Sequence, residues 1–324
     1  MTGSCNVLIS SAGRRVALMD LFRAALVDLE LEGRVLATDM SPLSAAFHHA
    51  DESFIVPRCT TDEFIPAMLE LCERERVGLV VPTIDTELPA LAAARDRFAQ
   101  QGVAVAISGP ETIAIGADKR LTHQWLVENG FPTVVQAEVA DVVADPATWR
   151  FPAVVKPVRG SASIGVHRVR SAAELEGADG DVVVQGMAPG DEHTVDLFVD
   201  RNGAITTVVP RRRLEVRGGE VSKAVTVHHA GLEALVTEIG ATLPGARGAL
   251  NVQVFVDGDD LAVIEINPRF GGGFPLSWEA GAMFPTWLVA EVTGRRCEVL
   301  PWREGVVMLR YDGAVFVGAG DAGL

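Results

Sequence analysis

A strand that is forced to stop sets the terms for this chain. Residues 263–274 read V-I-E-I-N-P-R-F-G-G-G-F. The segment opens as a strand, Pro268 removes a ladder donor, and Gly271, Gly272 and Gly273 free the backbone to turn away. Side chains alternate along a strand, so Glu265 and Asn267 project from one face while Ile264 and Ile266 enter apolar packing. A carboxylate and an amide oxygen two residues apart suit a hard cation such as Mg²⁺. Arg269 arrives at the mouth of the same strand, and cation ligands followed by a guanidinium are what a phosphoryl group in transfer requires.

The preceding segment supplies the partner. Residues 251–256 and 261–266 flank Asp257-Gly258-Asp259-Asp260 and predict a hairpin. Pairing Val256 with Ala262 places Val252, Val254 and Val256 on one face with Ile266, Ile264 and Ala262, and sets Gln253 opposite Glu265. A slip of one residue sets Glu265 against a valine and scrambles both faces. The apolar pattern therefore gathers Gln253, Glu265 and Asn267 as candidate metal ligands.

Upstream, residues 1–112 alternate short apolar runs (7–10, 35–38, 79–82, 103–107) with helical stretches (17–29, 61–75, 88–100), which predicts a parallel, doubly wound sheet. The turn after the first run is S-A-G-R-R, and Asp39 closes the second. One glycine is too few for the G-x-G-x-x-G approach to a pyrophosphate, so nicotinamide binding is disfavoured. Asp85 and Glu87 sit at a strand's carboxyl end, where helix N-terminal acids and substrate contacts both occur.

The style changes from Ala117. A helix over 121–129 follows Lys119, and a strand ends in Lys156. R-G-S-A-S-I-G then contributes Gly160, Ser161, Ser163 and Gly165 to a loop whose backbone N–H groups can close over phosphates. The P-loop pattern is absent. Residues 182–185 form an apolar strand, and residues 208–227 predict a hairpin turning at Gly218-Gly219. That hairpin carries Arg211, Arg212, Arg213, Arg217 and Lys223 inside an acidic chain. A solvated basic face and an anion site both fit it, and the shared face of Arg211 and Arg213 favours bidentate capture of a γ-phosphate or an anionic substrate. Residues 232–243 form a covering helix, residues 275–281 enter another, and Y-D-G-A at 311–314 signals a closing hairpin. His167, His193, His228 and His229 join no Ser/His or Cys/His pair and read as structural or exposed.

Composition limits the partners. At 324 residues and 48% hydrophobic, the chain has enough apolar material for more than one domain. A net charge of −15 argues against nucleic acid and anionic membranes. Cys5, Cys59, Cys72 and Cys297 form no C-x-x-C pair and suggest reduced thiols. With neither a leader nor a membrane-length apolar run, the expected location is the cytoplasm.

The string N-V-Q…E-I-N-P-R resembles the metal-binding end of the ATP-grasp superfamily, in particular the ATP-grasp halves of carbamoyl-phosphate synthase large subunits. The resemblance implies an α/β and α+β chain: a pre-ATP-grasp doubly wound parallel sheet over 1–112, a small lobe with a phosphate flap over 113–188, and a large lobe over 189–324. It implies that Gln253, Glu265 and Asn267 hold Mg²⁺ (or Mn²⁺) on ATP, with Arg269, Arg211, Arg213 and Lys223 as catalytic cations. Lys119, Lys156, Gly160, Ser161, Ser163 and Gly165 would hold phosphates, Gln185 and Met187 the adenine edge, and Glu192 the ribose. Gly186 departs from the pattern, since many relatives carry glutamate there. The implied activity is ATP-dependent ligation of a small-molecule carboxylate to an amine through an acyl phosphate, in a family whose sheet edges often pair into homodimers. A carbamoyl-phosphate-synthase-like kinase acting on bicarbonate ranks second, because its two phosphorylations need two copies of the domain and this chain has one. A nucleotide sensor without turnover has no use for the complete ligand set.

Overall fold

A computed structural model of the chain describes residues 3–160, 164–175, 177–178 and 180–324. The first sheet contains β1 (Asn6–Ser10), β2 (Val35–Asp39), β3 (Glu52–Ile55), β4 (Val77–Pro82) and β5 (Ala104–Val105), all parallel, in the order β3-β2-β1-β4-β5. Helices cover both faces, so β1 is buried on both sides: Val7 and Ile9 pack with Met19 and Phe22, Leu8 with Phe64 and Met68. That double burial produces the continuous apolar runs visible in the sequence. The edge strand β3 was not foreseen, because E-S-F-I is partly exposed and carries no such run. Strand order reverses between β1 and β4, and loops at such a switch point border a crevice. Glu87 knits those two loops together. Fully buried, it accepts from Ser10 Oγ (2.6 Å), Ser11 Oγ (2.9 Å) and the Thr83 and Ile84 amides (2.7 and 3.2 Å).

A small antiparallel sheet follows, from β6 (Gln136–Glu138), β7 (Ala153–Pro157), β8 (His167–Val169) and β9 (Val182–Gly186), in the order β6-β9-β7-β8. The largest sheet is antiparallel and ordered β14-β13-β10-β11-β12-β15. Its strands are β10 (Asp191–Val199), β11 (Ile205–Arg217), β12 (Glu220–Thr226), β13 (Gly248–Asp257), β14 (Asp260–Asn267) and β15 (Val307–Leu309). Leu126 of the helix Lys119–Glu128 and four leucine, valine and isoleucine side chains of the helix Ala230–Thr242 cover one face, against Val195, Leu197, Val252, Val254, Val263 and Ile266. On the opposite face, Phe198, Val209 and Ala249 join the first core, and the part facing the small sheet is polar. Strand β10 also escaped the sequence reading, because in D-E-H-T-V-D alternate residues serve that polar face and break the apolar run.

Helices Phe274–Ala280 and Phe284–Thr293 join the first sheet to the largest one. Their Phe274, Phe284 and Trp287 share a core with Phe270, Met19 and Phe22. At the C-terminal end, β15 pairs with β12, but the described residues show no strand at 311–314. The closing hairpin is corrected: Asp312 instead pairs with Arg217 at 2.6 Å, and Tyr311 and Phe316 lie exposed. No helix among the described residues is long and apolar enough to cross a membrane.

The hairpin of β13 and β14 keeps the expected register at one end only. Gln253 stands opposite Glu265 and Val252 opposite Ile266, as the apolar pattern requires. Near the turn the pairing is Val256 with Leu261 and Phe255 with Ala262, not Val256 with Ala262. The turn is two residues long, and Gly258 takes a positive φ of 61°. A β-bulge between Gln253 and Val254 absorbs the difference. Ile264 is the extra residue, and it lines the polar-face cavity instead of entering the core. Bulges beside functional sites re-aim side chains in this way.

Candidate active site

The polar face of the largest sheet forms the floor of a cavity of about 440 Å³, with the small sheet as its opposite wall. Alternation along β10, β11, β13 and β14 brings Glu192, Thr194, Arg211, Arg213, Gln253 and Glu265 to this face. Lys119, Lys156, Gly160, Gln185, Met187, Asn267 and Arg269 also line it. Residues far apart in sequence thus share one space.

At the end of β14 the amides form a network that fixes Arg269. Asn267 donates to Asn251 Oδ1 (3.3 Å) and accepts from Arg269 Nη2 (3.1 Å), while Asn251 donates to the Arg269 carbonyl (3.0 Å). The guanidinium itself makes a two-point ion pair with Asp85, at 2.8 and 2.6 Å. Asp85, read from sequence as a helix-terminal acid or a substrate contact, is committed to this arginine. Glu265 lies deep in the cavity. Burial raises its carboxyl above the ordinary range, more than the nearby Lys119 and Lys156 pull it down.

The donor set fits a cation shared with phosphates. Glu265 offers one carboxylate, and Gln253 and Asn267 offer amide oxygens. The described residues contain no group of three acidic, histidine or cysteine ligands. Mg²⁺ keeps such sparse protein ligation when a nucleotide supplies the remaining oxygens.

The lysines come from the opposite side. Lys119 opens its helix behind the N-cap Asp118, and its Nζ donates to Gly160 O at 3.1 Å. Burial lowers the Lys156 ammonium, with Glu265 the main opposing pull. Gly165 is not among the cavity-lining residues. Its φ of +73° and its closeness to Pro157, 2.8 Å from an added Cβ, make it a turn residue. Ser161 and Ser163 lie outside the described residues. Gln185 is buried and donates to Gln136 Oε1 at 2.8 Å. A Cβ on Gly186 would come within 2.8 Å of Val135 Cγ2, so a glutamate there would require Val135 to move.

The basic hairpin divides. Arg211 is 1% exposed and pairs with Asp196 at 2.7 and 3.1 Å, and Ser277 Oγ donates to the same carboxylate at 2.5 Å. Its Nη1 is buried without a partner among the described residues. Arg213 pairs with Glu192. Lys223 is not brought to the cavity. The β11–β12 ladder sets Arg213 opposite Ala224, so the next residue, Lys223, turns to the other face and pairs with Glu215 at 2.6 Å on an exposed surface. Arg15 was missed: it lines the cavity from the loop after β1. Its signal was the basic S-A-G-R-R turn at a switch point, read only for its lack of glycines.

Comparisons with known proteins agree with this geometry. Residues 7–106 match the family described as PylC-like, N-terminal domain, and residues 116–273 match the ATP-grasp domain. The chain is 27% identical over 296 residues to the formate-dependent phosphoribosylglycinamide formyltransferase of Burkholderia pseudomallei, covering 81% of this chain and 70% of that one. The Parabacteroides distasonis enzyme of the same name is 24% identical over 77% and 67%. In structure, the chain resembles the biotin carboxylase domain of Hydrogenobacter thermophilus 2-oxoglutarate carboxylase, solved with MgADP and bicarbonate (TM-score 0.70, 17% identity, 92% and 71% covered). It also resembles Thermotoga maritima N5-carboxyaminoimidazole ribonucleotide synthetase (TM-score 0.68, 19% identity, 92% and 78% covered).

Proposed function

Since the chain belongs to the ATP-grasp family, we propose that it is an ATP-dependent ligase joining a carboxylate to an amine through an acyl phosphate. The observation that carries this reading is the juxtaposition of Glu265 with Lys119 and Lys156 across one cavity, with Arg269 at the end of the same strand. Mg²⁺, for which Mn²⁺ can substitute, would draw charge off the nucleotide phosphates while held by Glu265 and the oxygens of Gln253 and Asn267.

Lys156 from the small sheet and Lys119 from the head of its helix approach those phosphates opposite Glu265, so negative charge is met from both walls. Gln185 and Met187 border the adenine end. Glu192, now held by Arg213, is available to the ribose. Arg269, oriented by Asp85 and Asn267, steadies the transferring group where an incoming carboxylate meets it. A carboxylate oxygen attacks the γ-phosphorus and ADP leaves. The amine nitrogen then attacks the acyl carbon, phosphate departs, and the amine gives up a proton. No serine, cysteine or histidine lines the cavity among the described residues, which suits direct transfer to substrate. The protein's contribution is alignment and charge neutralisation. The same reading places the protein in the cytoplasm, with small-molecule partners and no nucleic acid or membrane, and allows edge-paired homodimers.

The test is to incubate the protein with ATP, Mg²⁺, hydroxylamine and a panel of carboxylic acids. A hydroxamate and ADP are expected with the right acid. AMP and pyrophosphate would indicate an acyl adenylate and overturn the mechanism. ADP release that needs only bicarbonate would favour the carboxylating members of the family.

A further inference from the structure

The charges in the cavity fall in a row. At one end Glu265 feels Lys119 and Lys156. Arg269 and Asp85 act both on Glu265 and on Arg15. Beyond them, Arg15 feels Glu220 and Arg310, with neither phosphate-side lysine among its influences. Gly272, three residues past Arg269, stands against both Arg15 and Glu220 and marks a second basic end of the same cavity.

Arg15 is singular at that second end. Two carboxylates act on it, and both are committed elsewhere: Asp85 to Arg269 at 2.6 Å, and Glu220 to Arg310 at 2.9 Å and Arg14 at 3.5 Å. Among the described residues its guanidinium makes no hydrogen bond or ion pair. Burial, and then repulsion from Arg269, push it down to about 10. Gly272 preserves its space, because an added Cβ would stand 3.0 Å from Arg15 Nη1. A half-buried guanidinium that lines the cavity without a protein partner keeps its donor fork free for an anion brought by a ligand.

We propose that Arg15 binds an oxyanion carried by the amine-bearing substrate, the carboxylate of an amino acid or the phosphate of a phosphorylated amine. The inference rests on the ligase reading above and adds the acceptor's chemical class. The γ-phosphate is a poorer occupant, because Lys119, Lys156 and the Glu265 strand serve phosphates at the other end. An oxyanion on Arg15 would leave the acceptor's amine pointing back toward Arg269, where the acyl phosphate forms.

The experiment uses the full chain, the acid found by hydroxamate trapping, and three acceptor sets: amino acids, their carboxamides, and O-phosphoethanolamine. ADP release with amino acids but not carboxamides identifies a carboxylate, and release with O-phosphoethanolamine identifies a phosphate. Arg15→Met should raise the acceptor KM by about 10- to 100-fold, as expected for loss of a charged hydrogen bond. Arg15→Lys should recover part of that loss, and binding of an ATP analogue by calorimetry reports whether each variant is folded. Carboxamides that serve as well as the acids overturn the proposal. So does a rise in ATP KM with an unchanged acceptor KM. Failure of wild-type protein to form any hydroxamate would instead strike the ligase reading itself.

Discussion

Arg269 and Asp85 lie 184 residues apart and meet through two parallel hydrogen bonds, Nε to Oδ1 at 2.8 Å and Nη2 to Oδ2 at 2.6 Å. The pair ties the end of β14 to the loop after β4, and with it the first sheet to the end of the cavity proposed for phosphoryl transfer. A bidentate carboxylate fixes the plane of a guanidinium as well as its position.

Asp85→Asn should therefore lower turnover about 10- to 100-fold while nucleotide binding changes little, since the loss is one charged contact to Arg269. Single-turnover ADP release beside calorimetry separates the two effects. Unchanged turnover would mean that Arg269 is held sufficiently by Asn267 and the Phe270 carbonyl. Arg269→Lys should not rescue activity, because an ammonium cannot reproduce the fork.

The metal-side strand gives a second expectation. Glu265→Gln removes the one carboxylate among the three proposed ligands at nearly constant volume, and should abolish turnover with the fold intact by circular dichroism. Asn267→Asp keeps an oxygen ligand and adds charge, so its loss should be smaller and should shrink as Mg²⁺ is raised. Wild-type-like activity of Glu265→Gln at limiting Mg²⁺ would remove this residue from the site.

The pH profile follows from two burial effects of opposite sign. Burial raises Glu265 above the ordinary 4.5, so its ligand charge is lost early as pH falls. Burial lowers Lys156 below the ordinary 10.5, so its ammonium is lost early as pH rises. For free enzyme, kcat/KM for MgATP should describe a bell with both limbs moved inward. Lys156→Arg should push the alkaline limb outward. An alkaline limb unaffected by that change would assign it to another group.

Much of this site was legible because apolar patterning and chemistry pointed the same way. In β13 and β14 the buried valines and Ile266 left one register in which Gln253 could face Glu265, and that register occurs at the site. Near the turn the pattern misled, because Ile264 reads as core and only a bulge sends it to the cavity. Strand β10 was hidden by its own polar face. The Asp85–Arg269 pair is invisible to any local pattern, since nothing within either segment names its partner. Lys223 failed on parity: it adjoins Ala224, the residue opposite Arg213, so strand alternation turns it away from the face that Arg211 and Arg213 share.

The buried pair beneath the cavity allows stability and activity to be tested apart. Arg211 and Asp196 are 1% and 2% exposed in their side chains, and Ser277 completes the carboxylate's shell. Asp196→Asn leaves the Arg211 charge buried against a neutral amide and should cost about 3–5 kcal/mol, seen as a lower unfolding midpoint. Replacing the pair together, as Asp196→Leu with Arg211→Met, removes both charges and should recover much of that stability. Activity should not return with it. The Nη1 of Arg211, without a partner among the described residues, lies against Gly273, where an added Cβ would collide with it, and the residue lines the cavity. Full turnover in the stabilised double variant would make Arg211 a purely structural partner of Asp196, and would leave Arg213 as the arginine of that hairpin facing the nucleotide.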